Sequence, residues 1–543
     1  MSSARRFPIP ESLLDAAAVG TIAFVALVAL LTFRDYGLGW DDFTHSQMGE
    51  LLLGFYRSGF EDRRALSFVN LYLYGGGFDM AAALIAKALP LGLFAARRLL
   101  GAIVGLVGLG ATWRAARRLG GALAGALATG LLAACPLYYG HMFINAKDAP
   151  FAVAMAVLLL ALIRVYQDYP RPPWASRLLF GVGLGLALGT RILGGMAALY
   201  AIAPQACLLR ADAAAEGFAR AARRFGRFVL RLLPALVLAY ALMALLWPWS
   251  VLSPLNPLRA ALYFDRFFET PWKELYFGAL VAVPEMPWSY LPTLFALKLP
   301  ELFVLLGLCG IGLAAYRAAR RTTPLRERTA LLVVLGAVLV PFLVTLVTRP
   351  ALYNGVRHFV FVLPPLAMLA GVAGAAALDW LARRGVAALA LGGAVLAAGL
   401  ALPVGEMVRL HPLEYVSFNR LAGGVPGASR LFMLDYWGLA FKPAAEELRR
   451  ELARRGIRKP ADRAWKIAVC GPHPPARVAL GPDFELTWDS VGADFALTLG
   501  IFYCRSLDAP VLAEVKREGV VFARAYDIRG MTVPTLLSLP PPK

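Results

Sequence analysis

The chain is predicted to be an all-α protein that crosses a membrane many times and carries a small α/β domain at its C-terminal end. Three observations predict it. Of its 543 residues, 59% are hydrophobic and only 17% are charged, whereas soluble domains carry about 25% charged residues. Apolar runs long enough to cross a hydrocarbon core about 30 Å thick recur along the first 400 positions. After about Pro403 the composition changes, charged residues become frequent, and the apolar runs shorten to strand length.

The N-terminal Arg5 and Arg6 precede an apolar run from about Ala16 to Phe33. It is too long for an ordinary cleaved leader and lacks a convincing small-residue cleavage site, so it is expected to be the first retained helix, its N-terminus inside. Further spans are predicted at 98–116, 121–138, 149–166, 176–190, 192–209, 229–248, 298–316, 329–347, 359–380 and 386–402, which with 15–33 makes about eleven helices. Basic clusters punctuate them: Arg114, Arg117 and Arg118; Arg171 and Arg177; Arg220, Arg223, Arg224 and Arg227; Arg317 to Arg328; and Arg383 with Arg384. The excess of Lys and Arg in inner turns puts these in the cytoplasm. The first loop (34–97), the His141–Asp148 turn, the Thr190-Arg191 turn, the aromatic segment Trp247–Pro300 and Arg349–His358 then face outward.

Within the first outer loop, about Phe43 to Tyr56 and Phe78 to Leu93 show helical spacing of apolar residues and are expected as interfacial helices. The boundaries that follow are a transmembrane domain at 1–402 and an outer, periplasmic α/β domain at 403–543. In the latter, Phe441–Arg455 is expected as an amphipathic helix and Ile467–Cys470, Phe495–Leu499 and Val520–Ala523 as strands. The net charge of +20 would suggest nucleic acid in a soluble chain; here the arginines sit at the ends of apolar runs, which implies orientation and contact with anionic lipid instead. The five cysteines lack metal-ligand spacing, and Cys470 and Cys504 can pair if their domain faces an oxidising compartment.

The chemistry concentrates in His141-Met-Phe-Ile-Asn-Ala-Lys-Asp-Ala-Pro-Phe151, where a His, an Asn, a Lys and an Asp fall between two apolar runs. A lysine and a carboxylate at a membrane boundary are costly unless water, a partner or a ligand stabilises them. On the same predicted side lie Asp41, Asp42, Arg191, Arg357 and His358, together with all five histidines of the chain. Carboxylates can act as general bases toward a hydroxyl or amine, while Lys147, Arg191 and Arg357 can hold a phosphate. Group transfer from a lipid phosphate to an outer acceptor is one reaction such a set can support. Helix capping is the other reading for Asp42, ahead of Phe43, and for Asp148, ahead of Pro150.

Asp41-Asp42, the Asn145-Ala-Lys-Asp-Ala-Pro-Phe151 segment and the eleven-helix layout resemble the GT-C integral membrane glycosyltransferases. Within them the chain is similar to glycosyltransferase family thirty-nine, which holds the dolichyl-phosphate-mannose protein mannosyltransferases and the bacterial aminoarabinose transferase of lipid A. Leu352-Tyr-Asn-Gly-Val-Arg-His-Phe-Val-Phe-Val-Leu-Pro-Pro365, His411-Pro-Leu-Glu-Tyr-Val-Ser-Phe-Asn419 and Asp435-Tyr-Trp-Gly438 resemble segments of uncharacterised bacterial members. The resemblance implies inverting transfer of a sugar from a polyprenyl-phosphate donor to a glycolipid, envelope glycan or protein at the periplasmic face of a bacterial inner membrane. It implies Asp42 or Asp41 as general base, Asp42 favoured, with Asp148 as the second acidic residue. Lys147 is implied at the donor phosphate, with Arg357, His358 and Arg191 as further contacts. Some members use a divalent cation such as Mg or Mn, for which Asp41, Asp42 and Asp148 can supply oxygen. The chain lacks the β-trefoil insert of the eukaryotic mannosyltransferases, which argues against protein as acceptor. A transporter or lipid flippase is the alternative reading, and an assembly factor docking through the outer domain a third; neither nucleic acid nor a soluble location is expected.

Overall fold

A computed structural model describes residues 9–265, 272–533 and 535–538. The Arg5-Arg6 pair and the Pro-rich end fall outside them. In chain order the membrane region contains α1 (Glu11–Thr32), α2 (Asp42–Arg57), α3 (Gly77–Ala88), α4 (Leu93–Ala133), α5 (Pro136–Ile144), α6 (Asp148–Gln167), α7 (Trp174–Leu188), α8 (Ala197–Glu216), α9 (Phe218–Leu246) and α10 (Asn256–Asp265). A hairpin of β1 (Lys273–Tyr276) and β2 (Ala279–Ala282) follows, then α11 (Tyr290–Lys298), α12 (Glu301–Ala319), α13 (Leu325–Thr348), α14 (Leu363–Arg384) and α15 (Val386–Leu410).

Among the described residues nine helices are long and apolar enough to cross a membrane, and the shorter α7 is apolar too. All eleven predicted runs lie on helices. The numbers differ because α4 is two helices in one, broken at Gly120 and Gly121, whose angles leave the helical region. Both predicted interfacial helices form, as α2 and α3. The predicted 229 start of α9 lies well inside the helix, because a chain of arginines continues the helix beyond its apolar part.

Burial sorts the bundle. The first half of α14 is buried all round, as is most of α6, so these form the core. By contrast α1, α9 and α15 expose Leu31, Val237 and Val386 and similar side chains, which suits helices whose solvent is lipid. Side chains tie the basic turns together at one end. Arg117 pairs with Asp15 at 2.8 Å, Arg118 bonds Gln167 at 3.0 Å, Tyr169 donates to Asp212 at 2.5 Å, and Arg231 donates to the Pro170 carbonyl at 2.9 Å. The first loop, the start of α6 and the turn before α14 therefore sit at the other end.

Beyond α15 come α16 (Gly424–Ala428), α17 (Phe441–Arg454), β3 (Trp465–Cys470), α18 (His473–Leu480), β4 (Phe484–Thr487), β5 (Phe495–Leu499), β6 (Val511–Arg517) and β7 (Val520–Asp527). The five strands make one sheet in the order β4-β3-β5-β7-β6, with β4, β3 and β5 parallel and β7 antiparallel to both neighbours. A disulfide joins Cys470 to Cys504. This α/β unit is seated on the first loop. His411 lies 3.1 Å from Asp35 and 2.7 Å from Glu414, and Tyr36 donates to that same Glu414 at 2.9 Å.

Candidate active site

Three stretches that are far apart in sequence meet at the end opposite the basic turns. The chain leaves α1 and turns into α2 through Gly39-Trp-Asp41, placing Asp41 at the helix N-cap and Asp42 in its first turn. Between α5 and α6, Asn145 accepts the backbone N–H groups of Lys147 (3.1 Å) and Asp148 (2.7 Å) through its side-chain oxygen. This satisfies donors that a helix start leaves free, so Asn145 rather than Asp148 does the capping. Ahead of α14 the chain reverses at Asn354 (φ 56°) and Gly355 (φ 68°), a left-handed turn that Asn and Gly accept most easily. Glu274 of β1 takes the Asn354 N–H at 3.0 Å, and the Tyr290 hydroxyl takes that of Gly355 at 3.0 Å. The hairpin thus fixes the turn that carries Arg357. Burial pushes the Glu274 carboxyl up to about 7.

These stretches enclose a cavity of about 670 Å³, lined by Asp41, His45, Lys147, Arg191, Arg357 and His358 on its polar side. Leu193, Met196, Pro341 and Val344 extend the wall as an apolar flank. Arg357 pairs with Asp41 at 3.2 Å, and Arg191 pairs with Asp148, whose other oxygen accepts from Asn145 at 3.0 Å. The Lys147 ammonium lies 4.0 Å from the centre of the Tyr74 ring, with the Arg191 guanidinium 5.3 Å from it. Among the described residues no carboxylate comes within ion-pair distance of Lys147. Burial lowers its pKa to about 8, partly opposed by Asp41. Three cations thus face two carboxylates, leaving positive charge unmatched.

The seven predicted site residues separate into two groups. Asp41, Lys147, Arg191, Arg357 and His358 share the cavity wall. Asp148 stands behind Arg191, and Asp42 points away. The Asp42 side chain is 2% exposed against 43% for Asp41, and it pairs with Arg98 at 2.6 Å and with Arg97 at 3.4 Å. It also accepts the Gly39 N–H at 2.9 Å. Of the two adjacent acids expected as base, Asp41 lines the large cavity, while Asp42 lines only the small void beside it. Burial alone would raise Asp41, but Arg357 and then Lys147 bring its carboxyl below the usual range.

Sequence reading missed Arg97, Arg98 and Asp79, which with Asp42 form a closed network behind the cavity. Arg97 bridges Asp79 (2.8 Å) to Asp42, and Arg98 also donates to the carbonyls of Gly37 and Phe143. The signal was two adjacent arginines at the head of an apolar helix, which are expensive there unless paired. The Trp437 and Tyr436 side chains, from the segment entering the α/β unit, close another part of the wall. Trp437 lies 5.5 Å from the Arg357 guanidinium.

Asp41, Asp42 and Asp148, expected as possible ligands for a divalent cation, are each faced by an arginine. Among the described residues no group of three or more His, Cys, Asp or Glu could hold a metal ion. An arginine beside each carboxylate already supplies the countercharge, so this donor set does not fit a divalent ion.

A family model described as dolichyl-phosphate-mannose-protein mannosyltransferase matches residues 80–249. No curated protein matches the chain. Among solved structures the chain is similar to ArnT from Cupriavidus metallidurans in the apo state, with 17% identity, a TM-score of 0.49, and coverage of 94% of this chain and 98% of that one. It is similar to the same protein bound to undecaprenyl phosphate, at 16% identity and TM-score 0.49 over 93% and 97% of the two chains. The oligosaccharyltransferase of Archaeoglobus fulgidus in the apo form aligns at 13% identity and TM-score 0.50, over 88% of this chain and 65% of that one. The family model thus matches about a third of the chain, and the multi-pass bundle shares its fold with the Archaeoglobus fulgidus oligosaccharyltransferase.

Proposed function

We propose that the protein transfers a sugar from a polyprenyl-phosphate donor to a hydroxyl or amine acceptor. The observation that carries this reading is Lys147, an ammonium on the cavity wall that rests on Tyr74 and has no carboxylate partner among the described residues. An unmatched cation beside Arg191 and Arg357 suits one phosphate group. The apolar flank beside it suits the first units of a lipid chain.

In this reading Lys147, Arg191 and Arg357 hold the phosphate and meet the charge that grows on it as the sugar departs. Asp41 takes the proton of the attacking hydroxyl. Asp148 and Asn145 act behind them by fixing Arg191 and the turn that bears Lys147. The basic turns lie at the opposite end of the bundle from the cavity, which supports a cytoplasmic N-terminus and an outer cavity and C-terminal domain. The Cys470–Cys504 disulfide favours an oxidising compartment for that domain, as the periplasmic side of a bacterial inner membrane provides. Polar groups gather at one end rather than at mid-span, so a transporter or flippase gains no support.

The test is covalent transfer by the purified protein in nanodiscs, from a panel of polyprenyl-phosphate hexoses and pentoses to envelope glycolipids. Wild type is expected to label an acceptor, and Asp41→Asn to fold yet remain silent. Full transfer by Asp41→Asn, or lipid movement across sealed liposomes with no covalent product, would remove the assignment.

A further inference from the structure

A carboxylate–imidazole pair on the same cavity has no part in that scheme. His45 stands one helical turn after Asp41 on α2 and lines the cavity. Its Nδ1 lies 2.7 Å from Oδ2 of Asp79, which Arg97 holds in turn. An ionised Asp79 makes Nδ1 the hydrogen-bearing nitrogen, so Nε2 presents a lone pair. Glycine makes this pairing reachable: a side chain at Gly49 would come within 2.3 Å of the Asp79 carbonyl oxygen, so α2 and α3 approach this closely only without one.

His45 is 4% exposed, and Nε2 has no hydrogen-bonding partner among the described residues. A buried nitrogen left unpaired costs about 1–3 kcal/mol, a cost that a water or a donor at Nε2 removes. A void of about 10 Å³ is lined by His45, Asp41, Asp42 and Lys147, roughly the room one water needs. His358, the other imidazole on the cavity, has Arg357, Asp148, Arg191 and Lys147 around it, and no carboxylate is bonded to it among the described residues.

We propose that His45 is the proton relay of the site, receiving at Nε2 the proton that Asp41 takes from the acceptor. This rests on the sugar-transfer reading and deepens it. The acceptor oxygen bonds to the anomeric carbon, and the bond from that carbon to the phosphate oxygen breaks with its electron pair. The proton passes to Asp41 and then to Nε2. The resulting imidazolium keeps its Nδ1 bond to Asp79, while the departing phosphate, now carrying one more negative charge, stays against Lys147, Arg191 and Arg357. Asp41 is thereby restored as a carboxylate inside a filled cavity.

The relay is tested in nanodiscs with the donor from the panel that wild type turns over, and with undecaprenyl phosphate as the binding probe. His45→Asn is expected to bind the probe as wild type does and to lose about 10²-fold in kcat, and Asp79→Asn, which also leaves Arg97 short of a partner, to lose kcat with a lowered melting temperature. The acid side of the kcat–pH profile should also move, because these variants alter a proton-carrying group; Asp79, Arg97, Asp41, Asp42 and Lys147 all face that ring and set its response. His45→Gln serves as a second replacement should the Asn variant fail to fold. Wild-type kcat with binding intact, an even loss at every pH, or loss of probe binding in both His45 variants would overturn the relay while leaving sugar transfer standing. Failure of wild type itself to transfer from any donor would remove the function, and the relay with it.

Discussion

Two groups of buried charge lie side by side at the end of this bundle opposite the basic turns, and they are built differently. In the closed group two arginines, Arg97 and Arg98, face two carboxylates, Asp42 and Asp79, all of them buried. In the open group three cations, Lys147, Arg191 and Arg357, face Asp41 and Asp148, and an aromatic ring stands where the third carboxylate would be. The first arrangement sets as many arginines as carboxylates and ties α2, α3 and α4 together. The second is incomplete without an anion, and it is the one that opens on the cavity. Matched charge marks structure here, and on the proposed reading unmatched charge marks the place for a phosphate.

Breaking the closed group should have the largest effect. Arg97→Leu strands Asp42 and Asp79 in a buried setting, and removing one partner of such a pair costs about 3–5 kcal/mol. The variant is expected to unfold at markedly lower temperature, or to fail to accumulate, in thermal melts of the solubilised protein. Next in size is Glu274, which holds the Arg357 turn. Its folded value of about 7 exceeds the ordinary 4.5, so the unfolded chain releases this proton first and stability falls as pH rises from about 4.5 to 7. Glu274→Gln keeps an acceptor for the Asn354 N–H and removes that loss. Its melting temperature should match wild type near pH 5 and exceed it at pH 8, by up to about 3 kcal/mol in stability. A pH-independent difference would contradict the buried-carboxyl account.

The smallest effect sharpens the open group. Lys147 carries its proton below about 8 and loses it above, so undecaprenyl phosphate should bind more weakly as pH rises from 7.5 to 9. Lys147→Arg keeps its charge throughout, and its affinity is expected to stay level over that range. Parallel curves for the two proteins would show that Lys147 does not carry the dependence.

Much of this was legible in the sequence. Apolar length alone located each described helix that is long and apolar enough to cross a membrane, because lipid admits little else across its core. The Asn-Ala-Lys-Asp segment stood out because charge between two apolar runs is costly. What stayed hidden was pairing across distance. Asp41 and Asp42 are adjacent and of one type, and which of them meets Arg97 and Arg98 is decided by how α2 lies against α4. His45 looked like one polar residue on an interfacial helix until Asp79 arrived from α3. The α4 break was partly visible as the Gly120-Gly121 pair, whereas the arginine-rich start of α9 was read as a turn because charge outweighed helical continuity.

The central claim, that the unmatched cation awaits a lipid phosphate, is tested most directly by equilibrium binding of undecaprenyl phosphate to the folded protein in nanodiscs at pH 7. Lys147→Ala is expected to weaken that binding about 10- to 100-fold, as loss of a charge-assisted contact worth about 1.5–3 kcal/mol would, with an unchanged melting temperature. Equal affinity in wild type and Lys147→Ala would contradict the account.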